Sequence, residues 1–359
     1  MEEKVHIVSI AGARPQFVKT GIMHRSLMRH KQIRHLIIHT GQHYDAAMSD
    51  SFFRDLQIPV PDYHLHINQL SHGAMTGRMM EGIEAVLLKE KPHLVLVYGD
   101  TNSTLAGALA AKKLHLPVAH IEAGLRSFDM SMPEEINRIL TDRISDLLFC
   151  PTAQAIQNLE QEGFRHFGCE LHLSGDIMLD AARHFSRLAP PKQVAAQPFV
   201  LSTLHREEAL ASATRLRQII RQLNRLHQLV PVLFPAHPRT RAAINALNEK
   251  ICFNLVPPMG YLDMLQALEQ CSCVVTDSGG LQKEAYFFHK PCITMRNNTE
   301  WTELVTAGVN ILWNEESDLP ALYTRLLQKK TDFSQALYGT GHSCDFIAGK
   351  AIQFINKNR

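Results

Sequence analysis

Residues 274–285 read Val-Val-Thr-Asp-Ser-Gly-Gly-Leu-Gln-Lys-Glu-Ala, and this stretch decides the fold. A short apolar run ends in Ser278, Gly279 and Gly280, and a helical pattern begins at Leu281. The sequence therefore predicts a strand, a tight turn and a helix. Such a turn leaves backbone N–H groups at a helix N-terminus, where the helix dipole favours an anion. The two glycines would let a phosphate approach the backbone closely.

Two side chains of this stretch are candidates for binding a nucleotide. Ser278 is placed to donate to a phosphoryl oxygen, and Glu284, one turn into the helix, is placed to accept from a sugar hydroxyl. The local pattern fits an ordinary strand-to-helix turn equally well, because Ser-Gly-Gly is neither a Walker loop nor a G-x-G-x-x-G fingerprint. The rest of the chain has to decide between the two interpretations.

Apolar strand patterns alternate with helical patterns on both sides of this stretch. The predicted strands are 5–11, 36–39, 93–98, 118–121, 147–150, 171–174, 199–203, 232–235, 253–256, 292–295 and 309–313, in addition to the run at 274–275. Alternation of this kind predicts an α/β fold with parallel, doubly wound sheets. Ligands of such sheets bind outside the carboxyl ends of the strands.

Residues 187–198 contain three prolines, interrupt the alternation and predict a linker. A length of 359 residues suits two domains, each with its own core. We therefore expect a Rossmann-like N-terminal domain over residues 1–186 and a Rossmann-like C-terminal domain over residues 187–345, with an interdomain cleft between their strand ends. The last predicted helix, within residues 346–359, is expected to pack back on the first domain.

The composition is that of an ordinary globular enzyme, with 45% hydrophobic and 20% charged residues. A net charge of +2 gives no argument for binding nucleic acid or a membrane surface. Seven scattered cysteines predict buried thiols in a reducing compartment. No apolar run approaches the roughly 20 residues that span a bilayer, and the N-terminus does not resemble a signal peptide, so we expect a cytoplasmic protein.

The 20 histidines raise the question of a metal site. His39 and His43 are four residues apart, but Thr40 and Gly41 mark a turn between them, so ligation from one helix face is not expected. Cys271 and Cys273 would point the same way from a strand, and no second pair accompanies them. We therefore expect no metal.

Charged side chains follow the predicted strands of the first domain. Arg14 stands at the end of the first strand and Lys19 one turn into the next helix, where two cations suit a diphosphate. Asp100 and Glu122 end two later strands. A group of carboxylates at one edge of a sheet suits proton transfer.

A predicted helix that starts near residue 132 carries Glu134, Glu135 and Arg138. Glu134 and Arg138 are separated by four residues and share one face, whereas Glu135 lies about 100° away on the helix. Only one of the two glutamates can therefore point towards a ligand together with Arg138, and we expect that residue to be Glu134.

The second domain offers histidines and arginines at its strand ends. His205 and Arg206 follow one predicted strand, and His237 follows the next. Together with the Ser278 turn, they place cations and a helix N-terminus at one set of strand ends, which suits a diphosphate.

Seven motifs together resemble the non-hydrolysing UDP-N-acetylglucosamine 2-epimerases, and the match covers nearly the whole chain in the same order. They are Gly-Ala-Arg-Pro-Gln-Phe-Val-Lys (12–19), Thr-Gly-Gln-His (40–43), Gly-Asp-Thr-Asn-Ser-Thr-Leu-Ala-Gly-Ala (99–108), His-Ile-Glu-Ala-Gly-Leu-Arg-Ser (120–127), Pro-Glu-Glu-Ile-Asn-Arg (133–138), His-Arg-Glu-Glu (205–208) and Asp-Ser-Gly-Gly-Leu-Gln-Lys-Glu-Ala (277–285).

The resemblance implies a GT-B-like fold, a homodimer, and an enzyme of polysaccharide biosynthesis that uses neither metal nor nicotinamide. It implies interconversion of UDP-GlcNAc and UDP-ManNAc, through loss of the C2 proton and of UDP to give 2-acetamidoglucal, followed by re-addition. The catalytic positions that it implies are Asp100, Glu122, Glu134 and His205. The substrate-binding positions that it implies are Arg14, Lys19, His43, Arg138, His237, Ser278, Gly279, Gly280 and Glu284.

Several positions depart from the family pattern. Gln16 stands where many members have Glu, and Asp45 stands where activator-regulated bacterial members have Gln. Glu207 replaces an Arg, and Thr-Glu-Trp (299–301) replaces Thr-Glu-Arg. These departures are similar to those of the branch that contains enzymes for UDP-2,3-diacetamido-2,3-dideoxyglucuronic acid. That branch also contains UDP-N-acetylglucosamine enzymes, so both sugars remain open.

Three other functions fit parts of the pattern. A GT-B glycosyltransferase would use the UDP turn but leaves Asp100, Glu122 and Glu134 without a task. A hydrolysing epimerase would release free sugar and UDP. A non-catalytic UDP-sugar sensor would bind UDP but would need no acid–base residues, and would not exchange the C2 proton with solvent.

Overall fold

The computed structural model describes residues 4–42, 52–189, 192–206, 210, 212–329 and 331–358. The chain forms two compact units. The first unit comprises Met1–His184 and Leu337–Arg359, and the second comprises Phe185–Ala336. The C-terminal segment therefore belongs to the same unit as the N-terminus.

The first unit is built on a seven-stranded parallel sheet with the order β3-β2-β1-β4-β5-β6-β7. Its strands are β1 (Val5–Ala11), β2 (Ile33–His39), β3 (Tyr63–His64), β4 (Leu94–Tyr98), β5 (Val118–Ile121), β6 (Leu147–Cys150) and β7 (Glu170–Leu173). All seven residues of β1 are buried. Continuous apolar strands are typical of parallel sheets that are covered on both faces.

Helices connect the strands of this sheet. They are α1 (Arg14–Leu27), α2 (His72–Glu90), α3 (Asn102–Lys113), α4 (Pro133–Ile144), α5 (Ala153–Gln161) and α6 (Ile177–Ser186), with a 3₁₀ turn at Phe164–His166. Proline occupies the first turn of α1 and of α4, where its missing N–H costs no intrahelical bond. Thr101 caps α3 by accepting from the backbone N–H of Thr104.

The second unit repeats this plan with six parallel strands in the order β10-β9-β8-β11-β12-β13. The strands are β8 (Val200–Thr203), β9 (Val232–Pro235), β10 (Asn254–Val256), β11 (Cys273–Thr276), β12 (Cys292–Thr294) and β13 (Asn310–Leu312). The helices are α7 (Ala213–His227), α8 (Pro238–Ala246), α9 (Tyr261–Gln270), α10 (Gly279–Phe287), α11 (Thr302–Thr306) and α12 (Leu319–Gln328). Its core includes Phe234, Val275 and the fully buried Trp313.

The last helix, α13 (Ser343–Lys357), lies in the first unit. Its Asp345 carboxylate accepts from the Ser26 hydroxyl at 2.5 Å and pairs with Arg29 at 3.0 Å. Ser26 lies in the last turn of α1, and Arg29 lies just beyond its end. Because Arg29 and Asp345 are largely exposed, the ion pair itself stabilises this contact by at most about 1 kcal/mol.

The prediction of parallel, doubly wound α/β sheets is confirmed in both units. The missed elements include a short strand and a helix, besides the helix Thr302–Thr306 and the 3₁₀ turn Phe164–His166. The strand Tyr63–His64 has only two residues, too few for an alternating pattern. Helix α12 could have been found, because Leu319, Leu322 and Leu326 recur at helical spacing after Asp318.

Candidate active site

The first sheet has a switch point where the winding of the chain reverses. There β1 and β4 are neighbours, although β2 and β3 follow β1 in the sequence. Their carboxyl ends lead into turns at Gly12 and Gly99, from which α1 and α3 begin. Doubly wound sheets bind ligands outside such a switch point. Asp100 directly follows it.

Gln16 joins the two turns at this switch point. Its side-chain oxygen accepts from the backbone N–H groups of Gly12 (2.8 Å) and Ala13 (3.0 Å). Its side-chain nitrogen donates to the carbonyl oxygen of Tyr98 at 2.7 Å and also lies 2.9 Å from the hydroxyl of Thr104. Gln16 is buried, so these bonds are shielded from water. From the sequence, Gln16 was noted only as a departure from the family pattern. Its hydrogen bonds to both turns were not predicted.

Lys19 and Glu122 form a largely buried ion pair beside the same turn. A side chain at Gly99 would place its Cβ 3.3 Å from the Glu122 carboxylate and 3.6 Å from the Lys19 ammonium, so the pair lies directly over this glycine. Gly99 also has a φ of +63°, which favours glycine. The structure therefore brings together a predicted binding residue and a predicted catalytic residue.

Arg138 links two carboxylates at the next position along the sheet edge. Its guanidinium donates to Asp100 and to Glu135, each at 2.5 Å. The Glu135 carboxylate also accepts from the backbone N–H groups of Ser127 (2.9 Å) and Phe128 (3.0 Å). Burial alone would raise the pKa of Glu135, but the bonds from Ser127 and Arg138 outweigh it and lower the pKa.

The expectation that Glu134 shares the side of Arg138 needs correction. Glu135 is the glutamate that pairs with Arg138, and Glu134 is exposed to solvent. Residues three apart on a helix are neighbours just as residues four apart are, so the spacing could not decide between the two. The Glu135 carboxylate is bonded to three residues, Ser127, Phe128 and Arg138, whereas Glu134 faces solvent.

Arg14 is the remaining predicted cation of the first unit. It stands in the first turn of α1, it is exposed, and its guanidinium lies 5.0 Å from the ring centroid of Phe52. Contact with an aromatic face orients the guanidinium without neutralising its charge. Arg14 therefore stays available for an anion at the end of β1.

The second sheet has a switch point of the same kind between β8 and β11. Here Asp277 joins the two strand ends, because its carboxylate accepts from the backbone N–H groups of His205 (3.0 Å) and Arg206 (3.0 Å). Asp277 is buried and was not predicted as a site residue. Its bonds fix the His205 loop against the glycine turn.

The glycine turn begins α10 as the sequence predicted. Ser278 is its N-cap and accepts from the backbone N–H of Leu281 at 3.4 Å, which leaves its hydroxyl hydrogen for another acceptor. A Cβ on Gly279 would lie 2.2 Å from a carboxylate oxygen of Glu300, so a side chain there would displace the Glu300 carboxylate. A Cβ on Gly280 would meet only the Ser278 hydroxyl at 4.0 Å, so the backbone at Gly280 faces open space.

Two arginines share one carboxylate beside this turn. Arg296 pairs with Glu300 at 2.8 Å, and Arg206 lies 3.7 Å from the other oxygen of the same carboxylate. Burial would raise the pKa of Glu300, but Arg296 outweighs it and lowers the pKa. Two guanidinium groups therefore lie beside the helix N-terminus, which itself favours an anion.

The two predicted histidines of the second unit, His205 and His237, interact electrostatically. Desolvation by the surrounding protein lowers the pKa of His205, and the charge of His237 lowers it further, whereas the Asp277 carboxylate raises it. His237 is the N-cap residue of α8, and both histidines are exposed. A lowered pKa favours the neutral imidazole of His205, which is the form that accepts a proton. Glu284 is partly buried within α10.

Three residues named from the sequence, His43, Asp45 and Glu207, lie outside the described residues. Among the residues that the structure describes, no cluster of His, Cys, Asp and Glu has the geometry of a metal site. All seven cysteines are free thiols. No helix within the described ranges is long and apolar enough to cross a bilayer.

Comparison with known proteins adds four findings. The family model for UDP-N-acetylglucosamine 2-epimerase matches residues 25–351. A UDP-2,3-diacetamido-2,3-dideoxy-D-glucuronate 2-epimerase of Pseudomonas aeruginosa is 52% identical, covering 95% of this chain and 98% of that protein. A UDP-N-acetylglucosamine 2-epimerase of Methanocaldococcus jannaschii is 40% identical, covering 94% and 96%. A crystal structure of Methanocaldococcus jannaschii UDP-GlcNAc 2-epimerase in complex with UDP-GlcNAc and UDP superposes with a TM-score of 0.84 at 38% identity, covering 97% of this chain and 99% of that one.

Proposed function

Because the chain belongs to the UDP-N-acetylglucosamine 2-epimerase family, we propose that it inverts the configuration at C2 of a UDP-linked 2-acetamido sugar. The observation that carries this proposal is the pair of carboxylates at the ends of the neighbouring strands β4 and β5. Asp100 and Glu122 are each held by one cation, Arg138 and Lys19. Fixed carboxylates with fixed counter-charges suit proton transfer to and from carbon.

The proposed reaction has two halves. In the first, a base removes the C2 proton, the C–H electron pair forms the C1=C2 double bond, and UDP leaves C1 with the electrons of the C1–O bond. In the second, UDP adds back to C1 of the bound glycal, and C2 receives a proton on its other face. Water is not consumed, so no free sugar is formed.

We assign the proton transfers and charge stabilisation to Asp100, Glu122, Glu134 and His205. His205 can accept a proton at pH 7 because its pKa is lowered by the surrounding protein and by His237. Glu134 is exposed and its acidic neighbour Glu135 is occupied by Arg138, which supports Glu134 as the glutamate that acts on substrate.

We assign UDP binding to the turn at the start of α10. Ser278, Gly279 and Gly280 offer a hydroxyl and backbone N–H groups at a helix N-terminus, an arrangement that favours phosphate. Glu284 would accept from the ribose. The other residues that we assign to binding are Arg14, Lys19, His43, Arg138 and His237.

Two sugars are candidates for the substrate. The relative that is 52% identical is named for UDP-2,3-diacetamido-2,3-dideoxy-D-glucuronate, and relatives at lower identity are named for UDP-N-acetylglucosamine. We propose the diacetamido uronate as the preferred substrate and interconversion of UDP-GlcNAc and UDP-ManNAc as the second candidate. A homodimer that supplies polysaccharide biosynthesis is part of the same proposal, and light scattering tests the dimer.

Product analysis tests this proposal. Each UDP-sugar is incubated with the protein, and products are separated by ion-exchange chromatography and identified by NMR. We expect the C2 epimer with its UDP attached, at higher kcat/KM for the diacetamido uronate. Accumulation of free sugar with stoichiometric UDP would instead indicate a hydrolysing epimerase. Intact substrate despite tight UDP binding would indicate a sensor.

A further inference from the structure

A buried ionic cluster lies behind the two strand ends that carry Asp100 and Glu122. Its members are His120, Asp142, Arg126 and Glu162. The side chains of His120 and Asp142 are fully buried, and that of Arg126 is nearly so. None of the four was predicted from the sequence as a site residue. A buried charged cluster needs a reason, because hydrophobic residues of similar volume are often as stable.

His120 connects this cluster to the turn before Asp100. Its Nε2 lies 2.7 Å from the carbonyl oxygen of Gly99, and its Nδ1 lies 2.6 Å from a carboxylate oxygen of Asp142. A carbonyl and a carboxylate only accept hydrogen bonds, so the imidazole donates on both sides. Asp142 thereby holds, through His120, the peptide that immediately precedes Asp100.

The second oxygen of Asp142 holds the turn after Glu122. It accepts from the backbone N–H of Gly124 at 3.1 Å and from Arg126 at 2.7 Å. This turn is strained, because Glu122 has a φ of +76°, a conformation that non-glycine residues rarely adopt. Strained backbone persists only where surrounding contacts enforce it, and it concentrates at functional sites.

Gly124 is the tightest point of the same turn. Its φ is +78°, and a Cβ there would lie 2.4 Å from the carbonyl oxygen of Ala155. Asn158 donates to the Gly124 carbonyl oxygen at 2.9 Å, so both polar backbone groups of Gly124 are bonded. The direction in which the Glu122 side chain leaves the sheet is therefore set by bonds to Asp142 and Asn158.

Asp142 is charged at the centre of this cluster. Burial alone would raise the pKa of Asp142, but His120 and Arg126 outweigh it and lower the pKa. Its two oxygens thus serve two different strand ends, one through His120 and one directly.

We propose that Asp142 is a positioning residue that sets the relative placement of the two proposed acid–base carboxylates, Asp100 and Glu122. This proposal rests on the proposed function. It predicts that loss of Asp142 misplaces both carboxylates at once. A displacement of about 1 Å lowers turnover by about 10²-fold in positioned active sites.

Two variants of Asp142 separate its geometry from its charge. In Asp142→Asn, the amide nitrogen can donate to Nδ1 of His120, while the amide oxygen still accepts from Gly124 and Arg126, and His120 still donates to Gly99. Both connections survive, so we expect nearly wild-type behaviour. In Asp142→Ala both connections are lost, and we expect kcat to fall about 10²-fold.

A third variant covers the case in which Asp142→Ala does not fold. The double substitution His120→Leu with Asp142→Asn leaves no unpaired buried charge and keeps the bond from Gly124 to residue 142. It removes both bonds of His120, the one to the Gly99 carbonyl and the one to residue 142. The matched control is Asp146→Ala. Like Asp142, Asp146 binds a cation and a backbone N–H: Lys112 at 2.9 Å and the N–H of Val118 at 2.8 Å. These contacts lie at the amino end of β5, away from Asp100 and Glu122.

The deciding measurement is the amount of glycal released per epimer formed. A smaller folded fraction lowers both rates equally and leaves this ratio unchanged, whereas misplaced carboxylates change elimination and re-addition unequally. We expect an altered ratio in Asp142→Ala and in the double variant, and the wild-type ratio in Asp142→Asn and Asp146→Ala. The wild-type ratio in the double variant and in any folded Asp142→Ala protein would overturn the proposal. Absence of epimer from the wild-type protein would overturn the proposed function itself.

Discussion

The switch points of the two sheets have the same strand order but hold different chemical groups. At the first, carboxylates are paired with cations, Asp100 with Arg138 and Glu122 with Lys19. At the second, a capped helix N-terminus and the open backbone of Gly280 lie beside two arginines that share the Glu300 carboxylate. The comparison teaches that topology determines where a site lies, whereas the turn residues determine whether the site moves protons or holds an anion.

The largest effect is expected from substitutions in the first region, where the carboxylates lie. Replacing Asp100, Glu122 or Glu134 by its amide keeps the shape but removes a proton carrier or a charge. We expect kcat to fall by about 10²–10⁴ for each variant. UDP affinity, measured by calorimetry, should change little, because its main contacts are assigned to the other region. Wild-type turnover in all three variants would remove the assignment of proton transfer to this region.

The next largest effect is expected from substitutions in the second region, at the start of α10. Ser278→Ala combined with Glu284→Ala removes a hydroxyl donor and a carboxylate acceptor, and hydrogen bonds to charged groups contribute roughly 1.5–3 kcal/mol each. We expect UDP binding to weaken by a few kcal/mol. The matched control is Ser272→Ala, since Ser272 bonds the Phe199 carbonyl at the opposite, amino end of β11. Equal UDP affinity in the double variant and the control would refute the assignment.

A third prediction concerns stability in acid, which we expect to depend on a histidine of the first unit and not on the second unit. Burial lowers the pKa of His35 to about 3, and His24 and His6 contribute to the shift. Between that value and about 6.5, the unfolded chain binds a proton that the folded chain does not, so stability falls as the pH falls through this window. In the wild-type protein, the free energy of unfolding should fall between about pH 7.5 and 5.5. In His35→Gln this fall should be smaller by about 1 kcal/mol.

Hydrogen exchange read by mass spectrometry locates this effect. Peptides from β1 and β2 should show reduced acid sensitivity in His35→Gln, and peptides from β8 and β11 should not change. An unchanged pH dependence in β2 would contradict the buried, neutral state of His35.

The smallest effect is expected from a substitution that tests the interaction between the two histidines of the second region. The charge of His237 contributes to the lowered pKa of His205. In His237→Asn that contribution is absent, so the pKa of His205 rises towards its usual value, and activity that needs neutral His205 is lost at a higher pH. The acidic limb of the kcat profile should therefore move to higher pH. A shift to lower pH would contradict the electrostatic link between the two histidines.

The sequence was sufficient to predict what depends on local pattern. Buried parallel strands are continuous apolar runs, and the Ser278 turn carries its own glycines, so both were predictable. Residues that act through long-range contacts were not. Asp142 reaches His120 from 22 positions away in the sequence. Spacing also could not show that Glu135 rather than Glu134 pairs with Arg138, because residues three and four apart on one helix are both neighbours.

The central claim is that the protein removes and returns the proton at C2 while UDP leaves and re-adds. Incubation of each UDP-sugar in D₂O, followed by ¹H NMR of the recovered sugar nucleotide, tests it most directly. We predict that the C2 proton signal disappears from both epimers as they equilibrate, without net release of UDP, and that Glu122→Gln slows this exchange by at least about 10²-fold. Epimers that form with the C2 proton retained, or full retention of that proton with both sugars, would contradict the account.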